Sequence, residues 1–423
     1  MEDIVIITID CWRHDSLDDM DNLLRRSKIN DLNVSSAVCQ SSATNGCLAS
    51  LLASRYISQA YNREGDLAPT TTPLPSILRE NGYSTGAFIA ANPFVNKWSD
   101  HFDYFWNQGL SDKSTDTVRF PDRLNSVYHR ANLYRWRYLL LQQQSNIHEV
   151  ATKARKWYNS TDSPRFLWIH LMDLHEPYLP GLQVGLKEGL LNVYQAFLEH
   201  EKNREALDDE TLELHRRLYR ECVKLLDRRI DRLFEFIDTE STVFILGDHG
   251  QEFDHGVHMH ARMYEEVIKV PLLMRWTLDK REFGSPIRQI DIPPLIVDGI
   301  QNKIPDSWEG KSPVKNEERP SFSIGHAPYL NKTFTAVRTS KYKYHRTFDG
   351  DSLDIINEEL YNIKKDPGEE RNIYGRVSSE DITKKLDKFI NKDGIEIDFH
   401  QETAKDHDQE DVHQRLKHLG YVE

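Results

Sequence analysis

The stretch Thr242-Val243-Phe244-Ile245-Leu246-Gly247-Asp248-His249-Gly250 decides the fold. Its first five residues are apolar or β-branched without alternation, as in strands buried on both faces. It then delivers an acid and an imidazole between two glycines, which allow close backbone approach at the strand end. Working outward, similar runs occur at Ile4 to Ile9, Ser84 to Ala90, Phe166 to Leu171 and Pro271 to Trp276. Between them, Leu74 to Glu80 and Glu210 to Asp238 read as helices. The second has Leu214, Leu218, Leu225, Ile230, Leu233 and Ile237 at helical spacing. Asn81-Gly82 closes the first. This alternation predicts an α/β fold, a mostly parallel sheet sandwiched by helices.

From about Arg319 the pattern changes to short extended pieces, Ala336 to Arg346 and Glu359 to Ile363, followed by a polar helical tail. The chain thus divides into a large unit, residues 1–318, and a smaller α+β unit, residues 319–423. Gly109 to Asn159, with Tyr134, Trp136 and Tyr138 among arginines, reads as a structural insertion with solvated charges.

The net charge of −13, from 67 acidic and 54 basic residues interspersed along the chain, argues against nucleic-acid binding. An anionic substrate would need a locally positive site. Cys11, Cys39, Cys47 and Cys222 form no C-x-x-C pair, so reduced thiols are expected. The start, Met-Glu-Asp followed by Ile4 to Ile9, lacks the basic flank and length of a signal peptide, and no apolar run has membrane-spanning length. A cytoplasmic protein without a membrane span is expected.

The chemistry begins with Asp10, placed directly after Ile4 to Ile9, where α/β folds bind ligands. Two carboxylates, Asp10 and Asp248, and the imidazole of His249 converging from two strand ends would suit a divalent cation. A third piece, Ser41-Ser42-Ala43-Thr44-Asn45-Gly46-Cys47-Leu48-Ala49-Ser50-Leu51-Leu52, is a polar loop running into an apolar helix start. A hydroxyl there usually caps the helix.

Further motifs follow in order: Tyr264-Glu265-Glu266 before Val270-Pro271-Leu272, Arg288-Gln289-Ile290-Asp291-Ile292-Pro293-Pro294, Glu359-Leu360-Tyr361-Asn362-Ile363 before Asp366-Pro367-Gly368-Glu369, and Leu419-Gly420-Tyr421-Val422-Glu423. Taken with Asp10, Ala49-Ser50-Leu51-Leu52 and Leu246-Gly247-Asp248-His249-Gly250, they resemble the sulfatase family of the alkaline phosphatase superfamily. Each is short; their shared order across nearly the whole chain carries the resemblance.

The resemblance implies a metal-dependent hydrolase or transferase acting on a sulfate, phosphate or phosphonate ester, with a phosphotransferase among the transferase readings. Laying the family's nucleophile motif on Ala49-Ser50-Leu51-Leu52 puts Thr44 at the nucleophile position. Gly46, Cys47 and Leu48 replace that motif's proline, serine and arginine, so no formylglycine is expected. A threonine hydroxyl needs activation by a cation. Cys11 stands where many members have a second aspartate ligand, which leaves Asp10, Thr44, Asp248 and His249 around one divalent ion. Manganese, magnesium or zinc is favoured over calcium.

His175, in His170-Leu171-Met172-Asp173-Leu174-His175-Glu176-Pro177, matches a family histidine that protonates the leaving group. His260 or His258 would face the substrate, and His255 reads as a surface residue. Counting from Gly82 places Ala90 and Asn92 where many members carry a lysine and a histidine on the anion, so Asn92 is a substrate candidate. The partner is an anionic ester, glycan- or lipid-linked. Two rivals stand beside this reading. One is a two-metal phosphodiesterase using Asp173, His175 and His258 or His260; the other is a non-catalytic glycan-binding descendant.

Overall fold

Nine strands build the large sheet: β1 (Ile4–Ile9), β2 (Asn33–Val38), β3 (Ser84–Ile89), β4 (Tyr104–Asn107), β5 (Ser111–Asp112), β6 (Arg165–Leu171), β7 (Thr242–Gly247), β8 (Lys269–Arg275) and β9 (Ile287–Arg288). The computed structural model describes residues 2–108, 111–112, 140–141, 147–202, 207–256, 259–284, 286–314, 317 and 319–399. Most of the insertion read at Gly109 to Asn159 and the terminal Leu419 to Glu423 lie outside them. The strands run in the order β5-β4-β3-β6-β1-β7-β8-β2-β9. The central β4-β3-β6-β1-β7 block is parallel, and β8 pairs antiparallel with both β7 and β2.

β1 explains why its sequence does not alternate. Val5, Ile7 and Ile9 pack into one apolar cluster with helices Ile147–Ser160 and Asp209–Asp227. Ile4 and Ile6 pack into another, against helices Thr44–Ala53, Leu74–Glu80 and Ile292–Gly299. Both faces are covered, so every position of the strand but Thr8 is apolar.

The expected single helix from Glu210 to Asp238 is broken. It runs Asp209–Asp227 and resumes as Asp231–Phe234. The reason is local: the Asp227 carboxylate accepts the backbone N–H groups of Asn22 and Leu23 at 3.0 and 2.9 Å, the first turn of helix Asp21–Ile29. That bond fixes the end of one helix to the start of another. No helix among the described residues is long and apolar enough to cross a membrane.

The second sheet is antiparallel, in the order β10 (Ser321–Ala327), β11 (Lys332–Arg338), β12 (Lys343–Asp349) and β13 (Ile355–Tyr361). Ala336 to Arg346, expected as one extended piece, is a hairpin. Its polar Thr339-Ser340-Lys341-Tyr342 link is closed by Thr339 N–H donating to the Tyr342 carbonyl at 2.8 Å. Ala327, Phe334 and Ala336 pack on Val38, Cys39, Cys47 and Val267 of the large unit. Ile324, Val337, Tyr344 and Leu360 meet Ile382, Leu386 and Phe389 of helix Glu380–Ile390.

Charges cross the seam between the sheets. Glu265 accepts bonds from Arg338 at 2.9 and 3.0 Å and from Lys343 at 3.2 Å. Lys343, fully buried, also pairs with Glu369 at 2.7 Å. Next to them, within the large unit, Glu266 meets Arg13 at 2.5 Å and His255 at 2.6 Å. The Tyr264-Glu265-Glu266 and Asp366-Pro367-Gly368-Glu369 motifs therefore tie the two sheets together. His255, expected at the surface, instead lies flat against Tyr264, with centroids 3.7 Å apart. Its bond to buried Glu266 holds it there.

Candidate active site

Ile9 of β1 is in register with Leu171 on one side and Gly247 on the other. Three parallel strands therefore end together, and Asp10 and Asp248 leave the sheet side by side. The bend after β7 demands glycine: a Cβ on Gly250 would lie 2.0 Å from the Glu266 carbonyl oxygen. Thr44 enters from the first residue of helix Thr44–Ala53, where unpaired backbone N–H groups favour nearby negative charge. Gly46, standing where the family motif has proline, is needed because a Cβ there would meet Ser41 Oγ at 2.3 Å.

Thr44 Oγ1 donates to Asp10 Oδ2 at 3.3 Å and lies 3.5 Å from His249 Nε2. His249 Nε2 is 3.7 Å from Asp10 Oδ1 and 3.8 Å from Asp248 Oδ2. Its Nδ1 donates to the Gly250 carbonyl at 2.9 Å, so Nε2 presents a lone pair inward. His260 repeats this, with Nδ1 bonded to the Ser42 carbonyl at 2.6 Å and its ring 4.5 Å from that of His249. His175 does so through the Glu176 carbonyl, also at 2.6 Å.

Two more residues enter. Cys11 Sγ donates to Asp10 Oδ1 at 3.0 Å. His170 Nε2 lies 3.6 Å from Asp10 Oδ2, while its Nδ1 bonds the Thr8 hydroxyl at 2.8 Å. Three donor groups, Asp10/His170/Asp248, Asp10/Cys11/His175 and Cys11/His249/His260, each lie within 4.8 Å. Sequence reasoning gave His170 no role. The available signal was an imidazole inside an apolar run, in register with Thr8 beside Asp10. Asn92 does not reach the carboxylates: it is buried, approaches His170 Nε2 at 3.3 Å and caps the following turn by accepting from Phe94 N–H. His258 lies outside the described residues.

Electrostatically the centre is unbalanced. Burial raises Asp10, but the imidazoles of His175, His170 and His249 outweigh it and hold the carboxyl well below the usual range. Burial and then the Asp10 charge push Asp248 up to about 8. Asp248 Oδ2, fully buried, makes no hydrogen bond among the described residues. Burial, reinforced by His249, lowers His260 to about 4. Two carboxylates, inward imidazole lone pairs and an unsatisfied oxygen are a set of groups that could hold a divalent cation. Cys47 stands apart: its sulfur donates to the Ser41 carbonyl at 3.3 Å within an apolar cluster.

Comparisons with known proteins bear on the family and the fold. The family model described as Sulfatase matches residues 4–298, and that of the N-sulphoglucosamine sulphohydrolase C-terminal region matches residues 253–395. An ulvan-active sulfatase of Formosa agariphila is 29% identical over 196 residues, 42% of this chain and 37% of its own length. An N-acetylglucosamine-6-O-sulfatase of Bacteroides thetaiotaomicron is 26% identical over 200 residues, 41% of this chain and 34% of its own. The matched stretch thus spans little more than a third of either relative. Among solved structures, Ps i-CgsB in complex with k-i-k-neocarrahexaose superposes with a TM-score of 0.65 at 15% identity, covering 99% of both chains. The phosphonate monoester hydrolase SpPMH from Silicibacter pomeroyi gives 0.63 at 15%, covering 92% of this chain and 94% of its own. At that identity the structural likeness speaks for the fold. Matched over most of its length by the family model, and carrying Asp10, Asp248 and His249 together at the strand ends where that fold places its ligands, the chain belongs to the sulfatase family of the alkaline phosphatase superfamily.

Proposed function

We propose that this chain hydrolyses a sulfuric ester or a related phosphate or phosphonate ester, with Thr44 as nucleophile and a divalent ion held by Asp10, Asp248 and His249. The observation that carries the reading is the Thr44 hydroxyl, placed between Asp10 Oδ2 and His249 Nε2 at the start of a helix. Cys47, the alternative origin of a nucleophile, is packed away from it. A bound ion would supply charge stabilisation for the ester oxygens and favour ionisation of a nearby hydroxyl. Thr44 loses its hydroxyl proton to solvent and attacks sulfur or phosphorus in line, forming its Oγ bond as the bond to the alcohol breaks. His175, half-buried, carries a proton on both ring nitrogens for this step, one bonded to the Glu176 carbonyl and the other passed to the departing alcohol. Water then cleaves the ester on Thr44; a sugar hydroxyl in that role would make the enzyme a transferase.

A glycan-linked ester fits best. A cavity of about 380 Å³ adjoins the His260 loop, lined by Arg262, Tyr264, Tyr329, Lys332, Phe334 and Asn357 among others, a mix of rings and polar groups suited to sugars. The sulfatase relatives, named for ulvan and N-acetylglucosamine, point the same way. In this reading residues 1–318 carry the catalytic groups and residues 319–399 shape the cavity. A two-ion variant is favoured by one observation: the groups Asp10/His170/Asp248 and Cys11/His249/His260 share no member. Asp173 joins neither.

The test is a panel of sulfate, phosphate and phosphonate esters assayed with several metals, with elemental analysis for stoichiometry and intact-protein mass spectrometry after a substrate pulse. A transient adduct on Thr44, a loss of roughly a thousandfold in Thr44→Ala and near-native rates in Cys47→Ala are expected. Full activity in Thr44→Ala, or formylglycine at Cys47, would overturn the reading.

A further inference from the structure

We infer that Cys11 is itself a ligand of the divalent ion at this centre, giving a mixed sulfur, nitrogen and oxygen set that selects zinc-like ions over calcium or magnesium. The inference rests on the reading of this centre as a metal site and goes beyond it in naming a thiolate ligand and its consequence.

Four observations carry it. Cys11 Sγ belongs to two of the three donor groups, once with Asp10 and His175 and once with His249 and His260. The other three cysteines lie within apolar clusters: Cys222 among the helices on one sheet face, Cys39 and Cys47 beneath the second sheet. Cys11, equally buried, is a member of none of the clusters formed by the described residues. Its backbone sits at φ 56°, a left-handed conformation that costs a residue with a side chain. That conformation is pinned on both sides: its N–H donates to Asp248 Oδ1 at 3.3 Å and its carbonyl accepts from the Tyr219 hydroxyl at 2.9 Å. The fold therefore holds a strained turn whose result is to aim a sulfur at Asp10.

The chemistry follows from the donor. Calcium takes six to eight oxygens and magnesium an octahedron of them, whereas zinc accepts thiolate, imidazole and carboxylate together. The S–H hydrogen now directed at Asp10 occupies the direction a cation would take. On binding, that proton leaves to solvent and the sulfur lone pair goes to the metal; nothing is oxidised or reduced.

Cobalt(II), a spectroscopic stand-in for zinc, gives a direct test on the full chain stripped of metal. A near-ultraviolet sulfur-to-cobalt charge-transfer band is expected in the wild type, with proton release on titration, and zinc should displace cobalt while calcium does not. Cys11→Ser should lose the band and weaken zinc binding by roughly tenfold or more. Cys11→Asp should lose it too but gain calcium affinity, which guards against a serine variant that fails to fold. Cobalt bound without the band in the wild type, or a band that survives in Cys11→Ser, overturns the inference and leaves the metal site standing. No binding of any divalent ion by calorimetry overturns both.

Discussion

The carboxyl edge of the large sheet and the seam between the two sheets are both buried and both charged, yet their charges are arranged in opposite ways. At the seam Glu265 meets Arg338 and Lys343 and Glu369 meets Lys343, and beside it in the large unit Glu266 meets Arg13 and His255. Despite burial, these partners hold Glu265 and Glu266 below their ordinary range. At the strand ends Asp10 and Asp248 face each other among histidines, and although Asp10 is held low, Asp248 is driven up instead. A matched buried network serves the fold; an unmatched one is left for a ligand to complete.

The largest effect expected from this contrast is at Asp248. Asp248→Asn should lose metal and with it on the order of 4 kcal/mol of transition-state stabilisation, roughly a thousandfold in rate. Stability should move the other way. A carboxyl raised in the folded state lowers stability as pH climbs from its unfolded value toward about 8, so removing its charge should leave the metal-free melting temperature unchanged or higher at neutral pH. Saturating zinc should stabilise the wild type by about 2.7 kcal/mol at a hundredfold excess over Kd, and the variant hardly at all. Thermal melts with and without metal check both signs. Unfolding of metal-free Asp248→Asn would break the contrast.

At the seam the same kind of change should do the reverse. Lys343→Met removes a cation held between Glu265 and Glu369 and should cost about 3–5 kcal/mol of stability, read by urea denaturation, because the carboxylates stay buried. The rate per folded molecule should change little. A variant as stable as the wild type would show that the seam is held by the packing of Phe334 and Ala336 alone.

The contrast also sets what the sequence could reveal. β1, β6 and β7 are legible because burial on both faces makes them largely apolar without alternation, and Asp10 and Asp248 stand out at the ends of β1 and β7. β2, with Asn33, Ser35 and Ser36, lies near the sheet margin and carries no such signal. His170 was hidden for a different reason: its meaning comes from register across strands, with Thr8 of β1 beside it. Geometry also divides the candidates placed by counting. His175 and His260 do reach the centre, whereas Asn92, matched by counting, supports His170 rather than the carboxylates. The seam was least legible of all, since Lys343 and Glu369 look like any exposed charges until the second sheet is docked.

The smallest effect concerns acid. Glu266 is buried, and although burial raises its carboxyl, the bond from His255, the Arg13 charge and the Phe253 N–H bring it down to about 2. A depressed carboxyl contributes stability that is present above its unfolded value, near 4.5, and is lost as pH falls through its folded value. His255 works from the other side. Burial lowers it, but Glu266 more than compensates, so its folded value is raised above 6.5. Its contribution is complete below 6.5 and fades as pH rises through that raised value. The pair is therefore strongest between about 4.5 and 6.5. Glu266→Gln should flatten the fall in stability between pH 4.5 and 2, a change on the order of 2 kcal/mol measured by urea denaturation across that range. An unchanged slope in the variant would assign acid sensitivity elsewhere at the seam, to Glu265 and Glu369.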